Sequence, residues 1–154
     1  MIATNINRVS ANTPDALNEA IREQTRANVA RAAALGPRAI EVRLKELDRE
    51  WDIERCIETV APSLSLFGLL LGATVNRKWF LLPAVVQAFL LQHGIQGWCP
   101  PVPALRALGI RTQQEIDEER YALKALRGDF RTIGHDGAHL AASDGDAALR
   151  AAQA

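Results

Sequence analysis

The feature that most constrains this chain is a pair of adjacent uncharged runs in its middle. Residues 59–76 contain no Asp, Glu, Lys or Arg, and after a two-residue basic turn residues 79–105 contain none either. A helix needs about 20 mainly apolar residues to cross the roughly 30 Å hydrocarbon core of a bilayer. Both runs reach about that length, and so short a turn requires antiparallel neighbours. We therefore predict a transmembrane helical hairpin over 57–75 and 79–98.

The alternative is a soluble helical bundle in which the same two segments are buried core helices. Amphipathic helices would then have to cover them, and the apolar stripes of the flanking segments are narrow. The tryptophans favour the membrane. An antiparallel hairpin places Trp51 and Trp98 near one interface and Trp79 at the other, where aromatic belts lie. We expect a lipid bilayer as partner, with these three residues as interface anchors.

The polar flanks predict further helices, so the expected fold is all-α: a two-helix transmembrane hairpin flanked by cytoplasmic helices. Residues 1–12 lack periodicity and are predicted to be a loose lead-in. A Thr-Pro-Asp sequence at 13–15 predicts a helix start with Thr13 as cap, and Gly-Pro at 36–37 ends that helix and begins another. The second helix carries a narrow apolar stripe formed by Ile40, Leu44, Leu47 and Trp51.

After the second span, prolines at 100, 101 and 103 are expected to stop the helix. Thr112 and Glu115 form a capping box for a helix over 113–127, which Gly128 closes. Residues 131–154 are rich in Gly, Ala and Asp and are predicted to be disordered. The predicted regions are a cytoplasmic helical region (1–52), the two-helix transmembrane domain (53–112), a cytoplasmic amphipathic helix (113–130) and a disordered tail (131–154).

The basic residues predict the orientation of the hairpin. Six flank its outer ends, whereas two, Arg77 and Lys78, lie in the turn. Because basic residues near membrane spans favour the cytoplasm, both termini are predicted to be cytoplasmic. The six are Arg43, Lys45, Arg49, Arg55, Arg106 and Arg111.

The end of the second span carries a recognisable pattern. Gln-Gly-Trp-Cys-Pro at 96–100, with Leu-Gly-Ile at 108–110 and Thr112, resembles the Gly-Trp-Cys-Pro … Leu-Gly-Ile-x-Thr end of the YgaP-like transmembrane domain family. The resemblance covers about residues 53–112. It implies a two-helix domain of the bacterial inner membrane, homo-oligomerisation and no settled catalytic function. Since these 154 residues include no rhodanese domain, a sulfurtransferase activity is not carried over.

A stripe of small residues recurs at helical spacing along the first span. Small residues let helix backbones approach closely in lipid, where apolar side chains gain little from each other. The stripe predicts a contact either with the second helix of the hairpin or with another subunit, although glycines are also common in membrane helices. Its members are Ala61, Ser65, Gly68 and Gly72.

On the second span, Gln92, Gln96 and Cys99 share one face if the helix continues to Trp98, with His93 and Gln87 off that face. One hypothesis is a thiol site for sulfur or redox chemistry. The favoured alternative is simple placement at the interface, because nothing visible lowers the pKa of Cys99. Cys56 lies at the same level of the hairpin as Cys99, and both are expected to be free thiols in the cytoplasm.

Composition and motifs exclude several classes of function. Basic and acidic residues both number 18, so no charge excess indicates nucleic acid. No nucleotide-binding or catalytic motif occurs, His135 and His139 are separated by glycine, and no metal or cofactor is expected. Two hypotheses remain. The first is a non-catalytic, oligomerising scaffold in the membrane that presents charged helices to a cytoplasmic protein. The second is a thiol-dependent accessory of sulfur or redox metabolism using Cys99.

Overall fold

The computed structural model describes residues 7–131 and 148–152, and within these ranges every regular element is helical. The all-α prediction is therefore confirmed for the described part of the chain. In addition to the helical residues 148–152, the elements in chain order are α1 (Arg8–Ala11), α2 (Asp15–Leu35), α3 (Pro37–Leu47), α4 (Ile53–Thr74), a 3-10 turn (Arg77–Phe80), α5 (Leu81–Gln96), α6 (Val102–Ala107) and α7 (Gln113–Arg127).

The chain divides into two compact units. Unit 1 comprises Met1–Arg22 and Trp51–Gln114, and unit 2 comprises Glu23–Glu50 and Glu115–Ala154. Unit 1 contains α4 and α5, and unit 2 contains α3 and most of α7.

In unit 1, side chains fix the ends of the hairpin helices. The Asp52 carboxylate accepts a hydrogen bond from the Arg55 backbone N–H at 2.6 Å, which caps α4. The Asn76 side chain does the same for the 3-10 turn, accepting from the Lys78 N–H at 2.9 Å. Gly97 follows α5 in the left-handed conformation (φ 73°) that commonly ends helices. The polar residues around the two apolar segments thus set where each helix begins or ends.

The N-terminal lead-in is ordered where the structure describes it, so the prediction for residues 1–12 was wrong there. Arg8–Ala11 form α1, and Val9 is buried in a core cluster of unit 1 with Ile53, Cys99 and Val102. Thr13, predicted as the cap of α2, instead donates its hydroxyl to the Val9 carbonyl at 2.8 Å. Because α1 buries one apolar side chain, it shows no repeating apolar pattern from which a helix could be predicted. Residues 1–6 lie outside the described part.

The second predicted span also differs from the observed elements. It begins with the 3-10 turn and ends at Gln96, two residues before the predicted boundary, because Gly97 reverses the backbone. The prolines that follow do not lead into a loop. Pro103 lies in the first turn of α6, where a missing N–H is harmless.

Among the described helices, one is long and apolar enough to cross a membrane by length and composition, namely Ile53–Thr74 with 22 residues. Of its most apolar 18-residue window, 28% is buried within the protein. At 16 residues, α5 is shorter than the length such a helix usually needs. The structure thus supports one candidate span.

Unit 2 has an ordinary apolar core. The predicted stripe Ile40, Leu44 and Leu47 is buried on α3 and packs with Ile116 and Leu123. The helix ends at Leu47, so Trp51, which was predicted to extend the stripe, lies beyond it. The last long helix has the predicted bounds, Gln113–Arg127.

The C-terminal tail was predicted to be disordered over 131–154. Residues 148–152 are instead helical, and Ala151 is buried, so the prediction was wrong for that segment. The Lys124 ammonium donates to the Ala152 carbonyl at 2.6 Å, which attaches the segment to α7. Residues 132–147 and 153–154, and with them His135 and His139, lie outside the described part.

Candidate functional site

The stripe of small residues on α4 is the surface against which the turn and α5 pack. All four members are buried. A Cβ placed on Gly68 would lie 2.6 Å from Pro83 Cδ, and one on Gly72 would lie 2.7 Å from Phe80 Cδ1, closer than real Cβ atoms approach. Glycine is therefore required at both positions for this close contact. The stripe joins the two arms of the hairpin within one chain.

A polar contact between Ser65, which is buried, and Gln87, which is exposed, crosses the same interface further along. Gln87 Nε2 of α5 donates to Ser65 Oγ at 2.9 Å, and Ser65 Oγ donates to the Ala61 carbonyl at 2.9 Å. Such interhelical hydrogen bonds keep polar groups paired in a low-dielectric environment. Gln87, which was predicted to lie off the thiol face, thus connects the two arms of the hairpin.

At the outer end of the hairpin, a charged cluster lies between its two arms. His93 is 2% exposed, and its Nε2 lies 2.8 Å from Glu54 Oε2. The other carboxylate oxygen, Oε1, accepts from Arg8 Nη2 at 3.2 Å. One carboxylate therefore joins α1, α4 and α5. His93 Nδ1 is buried and has no hydrogen-bond partner among the described residues.

Helix α1 also covers the C-terminal end of α5. Arg8 Nη1 donates to the Gly94 carbonyl at 3.0 Å, and Asn12 Nδ2 donates to the Gln96 carbonyl at 2.8 Å. The last carbonyls of a helix have no partners within it and carry the negative end of the helix dipole. The short N-terminal helix supplies two of these partners, one of them cationic.

The outward surface of the hairpin is dominated by large apolar side chains. Among α4 residues, Leu66 is 67% exposed, although its neighbours on the inner face are glycine, serine and alanine. On α5, His93 is buried, whereas the nearby Leu91 and Ile95 are 66% and 60% exposed. The exposed large apolar residues of the two helices are Val60, Leu64, Leu66, Phe67, Leu69, Leu70, Leu81, Val85, Phe89, Leu91 and Ile95.

The three tryptophans have different environments. Trp51 and Trp79 are exposed, and Trp98 is half-buried. The Arg55 guanidinium lies 4.4 Å from the centroid of the Trp51 ring, a cation–π distance. Trp79 lies in the 3-10 turn, at the opposite end of the hairpin from Trp51 and Trp98.

The predicted thiol site is not assembled as the sequence suggested. Gln92 Nε2 contacts Gln96 Oε1 at 3.5 Å, but α5 ends at Gln96, so their helical face does not extend to Cys99. Cys99 is 2% exposed and packs among apolar side chains. Burial raises the pKa of the Cys99 thiol, which favours its protonated form over the reactive thiolate.

Both cysteines line one apolar cavity of about 340 Å³. The cavity lies between α4 and α5 near their outer ends and is closed on one side by the segment that leads into α6. Its other lining residues are Ile57, Val60, Ala61, Leu64, Val86, Phe89, Leu90, Pro100, Pro101 and Leu105.

The Glu54–His93 pair was not predicted from the sequence. In an antiparallel hairpin, Gly72 meets Phe80 and Ser65 meets Gln87, so each step back along α4 matches a step forward along α5. Continued from Ser65 back to Glu54, that register leads to position 98, five residues beyond His93. The register alone therefore does not predict the pair.

Comparisons with protein-family models, with curated proteins and with solved structures found no significant match. Among residues 7–131 and 148–152, no three His, Cys, Asp or Glu side chains are grouped in a way that would hold a metal ion.

Proposed function

We propose that the protein is an integral membrane module, anchored by the α4–α5 hairpin, that has no catalysis of its own and presents charged helices to a cytoplasmic partner. One observation carries the proposal. From Ala61 to Gly72, the buried residues of α4 are all small, whereas large apolar side chains of α4 and α5 are exposed along the hairpin. Water penalises such a surface, whereas lipid accepts it.

The soluble alternative requires α4 and α5 to be core helices, covered by the rest of the chain. Large contiguous apolar patches are rare on soluble monomers and mark membrane or protein contacts. Since apolar side chains are exposed along both arms, a lipid bilayer is the simplest environment that would remove them from water.

The length of the second arm is compatible with this proposal. The 3-10 turn (4 residues) runs directly into α5 (16 residues). At 2.0 Å and 1.5 Å per residue respectively, they extend over about 32 Å. That length matches a hydrocarbon core of about 30 Å.

We propose the bacterial inner membrane as the location, with both termini cytoplasmic, following the distribution of basic residues and the resemblance of residues 53–112 to the YgaP-like domain. Arg106 and Arg111, two of the six flanking cations, are buried within unit 1. Because Arg43 is paired with the buried Glu119, three of the six remain to interact with the lipid surface or a partner: Lys45, Arg49 and Arg55.

Homo-oligomerisation, which the family resemblance implies, would have to use the outer apolar faces. The small-residue stripe contacts α5 of the same chain and leaves no room there for a second subunit. The thiol-dependent function is not favoured, because Cys99 is buried and burial raises its pKa.

A charge on the exposed face tests the membrane anchor. Replacing Leu66 with Arg in a water-exposed helix is nearly neutral, within about 0.5 kcal/mol. At the centre of a membrane helix an arginine costs about 2.5–3.5 kcal/mol. We expect wild-type protein to stay in the pellet after alkaline carbonate washing, and Leu66→Arg to lower the membrane-inserted fraction severalfold.

The matched control is Leu35→Arg, at a residue that is 71% exposed outside the hairpin. It should leave the inserted fraction unchanged. Recovery of folded wild-type protein in the carbonate supernatant without detergent would refute the membrane anchor.

A further inference from the structure

The apolar cavity between α4 and α5 has the properties of a ligand site. Its volume of about 340 Å³ lies within the range of small-molecule pockets, roughly 300–1,000 Å³. Its floor is formed by buried residues, among them Ile57, Ala61 and Cys99. An apolar lining favours apolar ligands, since it offers polar groups no hydrogen-bond partners.

The chemistry of the lining defines the class of ligand. The side chains are hydrocarbon except for the thiols of Cys56 and Cys99, and burial keeps the Cys99 thiol neutral. Pro100 and Pro101 form part of the wall, and proline has no backbone N–H to donate. A ligand with polar groups in this space would therefore lose hydrogen bonds to water without replacement.

The mouth of the cavity determines where its ligand comes from. Val60, Leu64 and Phe89 line the cavity and are exposed on the flank of the hairpin. They are continuous with the apolar surface that would face lipid, so a hydrocarbon chain can enter sideways without crossing water. A bilayer presents such chains at high local concentration.

We infer that this cavity binds one acyl chain of a membrane phospholipid. The inference rests on the proposed membrane anchor. A chain in the cavity would fill the space between the arms and lie against the Cys99–Leu105 segment, which closes one end.

Photo-crosslinking tests this inference. The full-length protein is reconstituted into vesicles of phosphatidylethanolamine and phosphatidylglycerol containing a phospholipid with a diazirine at the middle of one acyl chain. After irradiation, mass spectrometry locates the adducts. We expect adducts on the exposed outer face, for example at Leu66 and Leu70, and also on the cavity wall at Cys99–Leu105.

A variant with a narrowed mouth separates the cavity from the outer face. Val60→Trp places a bulky ring at a half-exposed lining position and should lower adducts on Cys99–Leu105 at least fivefold, with those at Leu70 unchanged. Leu66→Trp, on the same helix but not lining the cavity, is the matched control and should leave both sets unchanged.

The outcomes distinguish the two proposals. Adducts on the outer face but none on Cys99–Leu105 would overturn the acyl-chain site and leave the membrane anchor standing. Adducts on neither surface would overturn both. A separate arm with a diazirine fatty acid in place of the phospholipid identifies the source. Labelling of Cys99–Leu105 by the free acid alone would overturn the assignment to phospholipid.

Discussion

The two units of this protein place the same residue types on opposite sides of their helices. In unit 2, leucine and isoleucine of α3 and α7 lie inside and charged side chains cover the outside. In the hairpin of unit 1, the buried residues of α4 from Ala61 to Gly72 are alanine, serine and glycine, and many leucine, valine and phenylalanine side chains are exposed. This difference supports the proposal that the outer face of the hairpin contacts lipid.

The comparison also extends to charge. Unit 2 buries one carboxylate, Glu119, which is 0% exposed and accepts from Arg43 Nε at 2.7 Å. That hydrogen bond raises the pKa of Arg43 above its ordinary value. In unit 1, Glu54 lies between Arg8 and His93 at the outer end of the hairpin. Nearer the turn, the hydrogen bond between the arms joins two neutral side chains, Gln87 and Ser65. Paired charges are thus part of the core of unit 2 but lie at the margin of the hairpin.

The largest expected effect comes from removing the buried carboxylate of unit 2. Glu119→Ala should destabilise this unit by about 3 kcal/mol, at the low end for a broken buried ion pair, because Arg43 keeps other carboxylate partners. Each 1.4 kcal/mol of lost stability corresponds to a tenfold change in an equilibrium constant. Amide hydrogen exchange in residues 37–47 should therefore become about a hundredfold faster. Glu46→Ala removes an exposed partner of the same arginine and should change exchange less than fivefold. Equal effects of the two substitutions would contradict the assignment of Glu119 to the core.

A second substitution tests the close contact inside the hairpin. Gly68→Leu forces a side chain into the space occupied by Pro83 and should destabilise the hairpin by about 1–3 kcal/mol. Thermal unfolding in detergent, followed by helical circular dichroism, measures the loss. Gly94→Ala on α5 is the control, since a Cβ there meets nothing within 4 Å. It should be neutral or stabilising, and an equal loss in both variants would refute the packing described.

A smaller effect is expected from the hydrogen bond between the arms. Ser65→Val removes the acceptor of Gln87 Nε2 and should cost about 0.6 kcal/mol, the average for such bonds in membrane helices. Ser63→Val is the matched control, because Ser63 is exposed and donates to the Thr59 carbonyl of its own helix. The same thermal unfolding assay applies, and no difference between the variants would show that the bond contributes nothing.

The smallest change concerns the reactivity of Cys99. Because burial raises its pKa, the thiolate fraction at pH 8 should be lower than that of a free cysteine. In a Cys56→Ser background, alkylation by iodoacetamide should be slower in the folded protein than after denaturation, and its pH midpoint should lie above the ordinary value of about 8.5. A midpoint below that value would restore the thiol-dependent hypothesis.

Periodic patterns predicted most of the fold. The apolar stripe of α3, the bounds of Gln113–Arg127 and the all-helical class all follow from spacing, caps and composition. What the sequence did not reveal depends on isolated side chains. One valine at position 9 and one alanine at 151 anchor short helices that have no repeating pattern.

The candidate site was predicted in part. The small-residue stripe was found by spacing, but spacing alone left open whether its partner was the same chain. The thiol face depended on α5 continuing to Trp98, and the left-handed Gly97 ends it earlier. The cavity was beyond prediction, since it depends on the α4–α5 register and on the fold of Cys99–Leu105 together.

The docking of α1 has a consequence for biosynthesis. Arg8 is made 86 residues before Gly94, the carbonyl it binds. At about 5–20 residues per second, the N-terminal segment leaves the ribosome and waits on the order of ten seconds for its binding site to be translated. Closure of α1 over the finished hairpin is therefore a late step. Until then the segment is free to engage a chaperone or a targeting factor.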